Sequence, residues 1–182
     1  LISAVTRATP VLNPDGMAHS RQITVKPRQI NMSAYDAERM LRWRPKRTVR
    51  RLVSTYATYD VPAAENLADM ILADAGQMQA LQTNFAESSP MAQRYPGLVN
   101  DLEMTQNLSP LPLDQVQTPA LIIASRYDRF LGYESAVSPH EQIADSELMT
   151  VDQAGHLVWL GDSKVTRQIE ERIEGFLRTH FA

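Results

Sequence analysis

The chain has 182 residues, 43% of them hydrophobic and 21% charged, with a net charge of −3; that is enough to build one sizeable core. It has no cysteine, which excludes a disulfide framework or a thiolate metal site and fits a reducing, cytoplasmic setting. The acidic balance argues against general nucleic-acid binding, and the longest strictly apolar run, five residues at 120–124, is far short of the roughly 20 that a membrane span needs.

In chain order, Leu1-Ile-Ser-Ala-Val5 reads as a short buried strand. It opens on Leu1 rather than methionine, and the expectation is a processed, nicked or truncated polypeptide. A loop follows, marked by Pro10 and the turn cluster Asn13-Pro-Asp-Gly16. Residues 34–44 have a helical pattern with Ser33 as cap and Pro45 as stop. A basic helix is expected over 46–59. Asp60 and Pro62 then supply a cap and a first-turn proline for a helix reaching about Ala75. Another helix is expected from Gln77 to about Glu87, broken at Ser88-Ser-Pro90, and a last one over 98–108. Seven of the eighteen basic residues crowd into 39–51, leaving the remainder of the chain near −10. A solvated helix face is the plain account of that crowding. The sharper one is a rim that attracts anionic substrates.

The texture changes near residue 109, where strands and helices begin to alternate. Ala120-Leu-Ile-Ile-Ala124 is a continuous apolar run, as expected of a strand covered on both faces. A helix is expected within 134–144, a strand over 147–151 and a terminal helix with Val165, Ile169, Ile173, Phe176 and Leu177 along one face. This order predicts a parallel α/β unit, whose functional groups sit beyond the carboxyl ends of the strands. Asp128 and His156 are the ionisable residues best placed for that. Either alone is most simply a turn former or a solvated loop residue. Both fall just past the carboxyl end of an expected strand, so they are candidates for one site.

Two stretches, Thr118-Pro-Ala-Leu-Ile-Ile-Ala-Ser-Arg-Tyr-Asp128 and Ala154-Gly-His156-Leu-Val-Trp-Leu160, resemble the C-terminal part of the α/β-hydrolase fold family. The resemblance places Asp128 at the acid position of a catalytic triad and His156 at the histidine position, in the family's own order. Ser125 stands where glycine is usual. Residues 95–103 and 128–136 most resemble a group of bacterial α/β hydrolases that implies no particular substrate. The family's Gly-x-Ser-x-Gly elbow occurs nowhere in the chain; Ser3 reads as a strand-end residue instead.

The resulting expectation is an α/β-hydrolase-like parallel sheet of about three core strands, C-terminal portion only, with a helical lid inserted. Residues 1–8 would be a core strand, 9–108 a loop and lid, and 109–182 the C-terminal βαβα part. The expected function is hydrolysis of an ester, lactone or related small acyl substrate. Asp128 and His156 are the catalytic residues, and the serine comes from an N-terminal segment outside this chain, so the isolated chain is incomplete. Methionines among the lid helices, such as Met40, Met70 and Met78, suit either core packing or an adaptable acyl pocket. No cofactor, metal, nucleic acid or membrane span is expected. The rival expectation is a non-catalytic hydrolase-like fragment used for binding or assembly, with the edge of strand 1–5 exposed for pairing.

Overall fold

The computed structural model describes residues 38–87, 111–152 and 154–181, with positions 93, 96, 97, 100, 101, 104 and 109 between the first two blocks. The expected strand at 1–5, the loop with Pro10 and the 13–16 turn, the Ser33 cap and the break at 88–90 all lie outside the described residues. Of the helix expected over 98–108, positions 100, 101 and 104 are described, and they are helical.

Residues 38–43 are helical and lead to Arg44, which leaves helical geometry at φ −139° and ψ 60°. The cause is Pro45, whose ring disfavours the α region for the residue before it. Helix α1 (Pro45–Tyr56) restarts at once, with proline at its first position. It buries Val49 and Val53, one turn apart, and ends when Ala57 turns extended. Helix α2 (Val61–Ala73) begins as expected: the Asp60 carboxylate accepts the Ala63 amide at 2.9 Å. Helix α3 (Ala75–Glu87) follows after a single residue, Asp74, which accepts the amides of Gly76 and Gln77. These hydrogen bonds, the Gln77 amide foremost, hold the Asp74 carboxyl below its usual value. Leu41, Val49, Val53, Leu67, Ile71 and Leu81 form the core shared by these helices.

The C-terminal half is a parallel α/β unit. Strand β1 (Ala120–Ser125) and strand β2 (Ser146–Val151) pair in parallel from Ala120 opposite Ser146 to Ser125 opposite Val151. Helix α4 (Glu134–Gln142) joins them, and helix α5 (Ser163–Phe181) closes the chain. The apolar run of β1 is divided between two faces by the strand's two-residue period. Leu121 and Ile123 pack with Val151, Ile169 and Phe176 beneath α5, whereas Ile122 and Ala124 pack with Ala136 of α4. Among the described residues the sheet has these two strands; the third expected strand falls at 1–5.

Candidate active site

The site forms where β1 and β2 end. Ser125, the last residue of β1, is fully buried. Its hydroxyl donates to the Ala154 carbonyl and accepts the Tyr127 amide at 3.0 Å. A side chain at the position where glycine is usual therefore has a structural role, tying the loop after β1 to the loop after β2.

Asp128 sits in that first loop at 7% exposure. One carboxylate oxygen, Oδ1, accepts the Phe130 amide at 2.7 Å and the Leu131 amide at 3.0 Å. The other, Oδ2, lies 2.9 Å from Nδ1 of His156. Burial by itself raises the pKa of this carboxyl. The hydrogen bond from His156, the Leu131 amide, the His156 charge and the Phe130 amide outweigh burial, and the pKa lies below the ordinary 3.8. An ionised Asp128 is a pure acceptor, so it assigns the proton to Nδ1 and leaves Nε2 of a neutral ring as the free base. Among the described residues Nε2 has no hydrogen-bond partner.

His156 is held from a direction the sequence does not announce. The carbonyl of Tyr56, at the end of α1, accepts the His156 amide at 2.8 Å and the Arg129 amide at 3.3 Å. Next to it Ala57 forms an antiparallel bridge with Asp128, and the Thr58 amide reaches the Tyr127 carbonyl at 2.9 Å. One chain segment is thus sewn to the loop of Asp128 and to the loop of His156. Gly155 permits this contact, because a Cβ there would stand 2.5 Å from the Tyr56 carbonyl oxygen and 2.6 Å from Cβ of Ala57. The need for glycine is close approach. A left-handed backbone is not the reason, since the positive-φ glycines are Gly132 and Gly161.

Two aromatic rings flank the imidazole. Tyr56 stacks on it with centroids 5.9 Å apart, and Phe130 lies 4.9 Å away at a tilt. Phe130 is 53% exposed, so it presents an apolar wall beside the histidine. Sequence reasoning finds Asp128 and His156, and the structure brings them together; it misses Tyr56 and Phe130. Phe130 follows the acid by two residues and could have been noticed. Tyr56 lies far upstream in a helix and carries no local signal.

A cleft of about 490 Å³ opens next to these loops, lined by Thr58, Tyr59, Leu67, Met70, Tyr127 and Asp152 among others. Neither Asp128 nor His156 lines it. The Tyr59 hydroxyl reaches the carbonyls of Asp152 and Ala154, and burial, with Tyr127 and Asp152 nearby, pushes its pKa up to about 12. Closer to His156, Leu52, Tyr56, Gly155 and Leu157 line a small apolar gap. Of the methionines that suit either core packing or an acyl pocket, Met70 packs on the helical core and also lines the larger cleft, Met78 packs on that core and Met40 is exposed. Among the described residues no group of three or more His, Asp or Glu is placed to hold a metal ion, and no helix is long and apolar enough to cross a membrane.

A family described as TAP-like protein matches residues 101–180, the part that carries both Asp128 and His156. Among solved structures, an α/β-hydrolase fold protein from Nakamurella multipartita superposes with a TM-score of 0.76 over 97% of this chain, at 18% sequence identity. The chain has the α/β-hydrolase fold. It spans 59% of the length of that relative. A thermophilic esterase (TM-score 0.39, 18% identity, 88% of this chain and 53% of the other) and an esterase from Exiguobacterium antarcticum (0.41, 12%, 94% and 54%) overlap too weakly to add to this assignment. No curated protein matches the chain by sequence. In an α/β-hydrolase fold the loops at the carboxyl ends of the strands carry the functional groups, and the loops of β1 and β2 are where Asp128 and His156 meet.

Proposed function

We propose that this chain supplies the acid and the histidine of a Ser-His-Asp triad in a hydrolase acting on an ester, lactone or related small acyl substrate. The observation that carries this reading is the 2.9 Å contact between Asp128 and His156 Nδ1, with Nε2 unpartnered among the described residues. A buried carboxylate oriented by two backbone amides fixes both the ring and its tautomer. The serine is proposed to come from a segment outside these 182 residues, as no Gly-x-Ser-x-Gly elbow occurs within them.

In this mechanism Nε2 of His156 takes the proton of the serine hydroxyl as its oxygen attacks the acyl carbon. The imidazolium formed is stabilised by Asp128 and returns the proton to the leaving alkoxide as the tetrahedral intermediate collapses. Water then repeats the two transfers on the acyl-enzyme and releases the acid. The helices of residues 38–87 act as the lid, with Phe130 and Tyr56 as the apolar border of the acyl site. Divisions at residues 8 and 108 belong to the same proposal.

The test is hydrolysis of short aryl esters by the polypeptide that joins this chain to its nucleophile segment. Asp128→Asn and His156→Ala are each expected to lower kcat by roughly a thousandfold or more, with unchanged circular dichroism. Hydrolysis that survives both substitutions overturns the reading.

A further inference from the structure

The cations of residues 39–51 do not all find carboxylates. Arg42 pairs with Glu38, Lys46 with Asp69 and Arg50 with Glu65, at 3.1, 3.5 and 3.2 Å. Arg44, Arg47 and Arg51 are exposed and make no ion pair among the described residues. Arg39 lies over the ring of Trp43, 4.6 Å from its centroid. That indole is 72% exposed, with Met40 beside it at 36%, while Leu41 at 1% marks the opposite face as the one packed inward. Trp43 and Met40 precede the kink at Arg44, next to a depression of about 390 Å³ lined by Arg44, Pro45, Lys46, Arg47 and Arg50. A solvated helix face accounts for the charges. It does not account for a nearly bare indole among them.

We propose that this kinked segment docks on an anionic lipid surface. Guanidinium groups of Arg44, Arg47 and Arg51 meet the lipid phosphates, and Trp43 and Met40 enter the headgroup layer, where an amphipathic indole is favoured. The rest of the chain, near −10, is repelled by such a surface, so the molecule is steered to present this face alone. A nucleic-acid strand fits less well. Arg39 already covers one face of the indole, and Met40 offers no ring for a base to stack on. The docking does not depend on the chemistry at His156.

The experiment is cosedimentation of the 182-residue chain with vesicles of phosphatidylcholine alone and of phosphatidylcholine mixed with phosphatidylglycerol. The Trp43 emission is followed in a Trp159→Phe background. Pelleting with the phosphatidylglycerol vesicles alone, a blue shift of Trp43 and reversal of both by salt are expected. Arg44→Ser, Arg47→Ser and Arg51→Ser should each weaken binding about fivefold, and Trp43→Ser should weaken it with the fold unchanged. No pelleting, equal pelleting on phosphatidylcholine alone, or displacement from the mixed vesicles by a single-stranded oligonucleotide at equal phosphate concentration overturns the proposal.

Discussion

Asp128 has two jobs that pull on the same charge. Its carboxylate orients His156, and it also closes its own loop by accepting the amides of Phe130 and Leu131. All three hydrogen bonds favour the ionised form, which is why its pKa falls despite burial. A carboxyl whose folded-state pKa is depressed stabilises the fold above its unfolded pKa, and that contribution is lost as the pH falls through the folded value. Asp128→Asn should therefore cost about 1–3 kcal/mol near neutral pH, the usual range for a buried charged acceptor. The gap between the variant and the parent should close as the pH drops below the ordinary carboxylate value of 3.8. Urea denaturation of both proteins over a series of acidic buffers measures this. A gap that is constant with pH would mean that the charge of Asp128 contributes nothing to the fold. The aspartate was legible as a residue because the loop after a buried strand and the spacing to a Gly-His pair are both local in sequence. Its amide partners were not, because backbone geometry inside a loop leaves no mark on side-chain pattern.

At the scale of elements, the junction of α1 with the two loops matters most. The carbonyl of Tyr56 accepts from Arg129 and His156, and Gly155 lies against it with no space for a methyl group. Gly155→Ala places a Cβ against backbone and against Cβ of Ala57, neither of which swings aside as the end of a flexible side chain would. Either the end of α1 or the histidine loop must then move. A cost of about 1–3 kcal/mol is expected, together with weakening of the Asp128–His156 contact. The latter is read from the imidazole proton signals of His156 by NMR; an unchanged spectrum and unchanged stability would show that the junction is loose. Helix starts were legible, since Asp60 with Pro62 and the proline after Arg44 act within a few residues of where they stand. Strand β1 was legible as an apolar run and β2, a mixed Ser-Glu-Leu-Met-Thr-Val segment, from its place after a helix, and the parallel pairing followed from the helix between them. What joins α1 to the loops of Asp128 and His156 was hidden, because a carbonyl carries no residue identity and its partners lie some 70 to 100 residues further on.

At the scale of the whole molecule, the segment after His156 connects two cores. Val158 packs with Leu121, Val151 and Ile169 in the sheet core, whereas Leu160 packs with Val49, Leu67 and Ile71 in the helical one. Gln77 of α3 adds a polar tie across the same junction, exchanging hydrogen bonds with both the amide and the carbonyl of Gly161 at 2.8 Å. Helical and sheet regions that are joined by one short segment with a buried residue in each core, and by a reciprocal hydrogen bond, should unfold together. Trp43 reports the helical region and Trp159, within the connecting segment, reports the junction, so Trp159→Phe and Trp43→Phe variants isolate the two signals. Their urea midpoints are expected to coincide. Leu160→Ala leaves a cavity in the helical core and should cost about 2–4 kcal/mol; it should also separate the two midpoints, the Trp43 signal moving to lower urea. If the midpoints already differ in the parent, the histidine loop does not bind the two cores into one unit. If Leu160→Ala lowers both equally, the Gln77–Gly161 bonds are sufficient to hold them together.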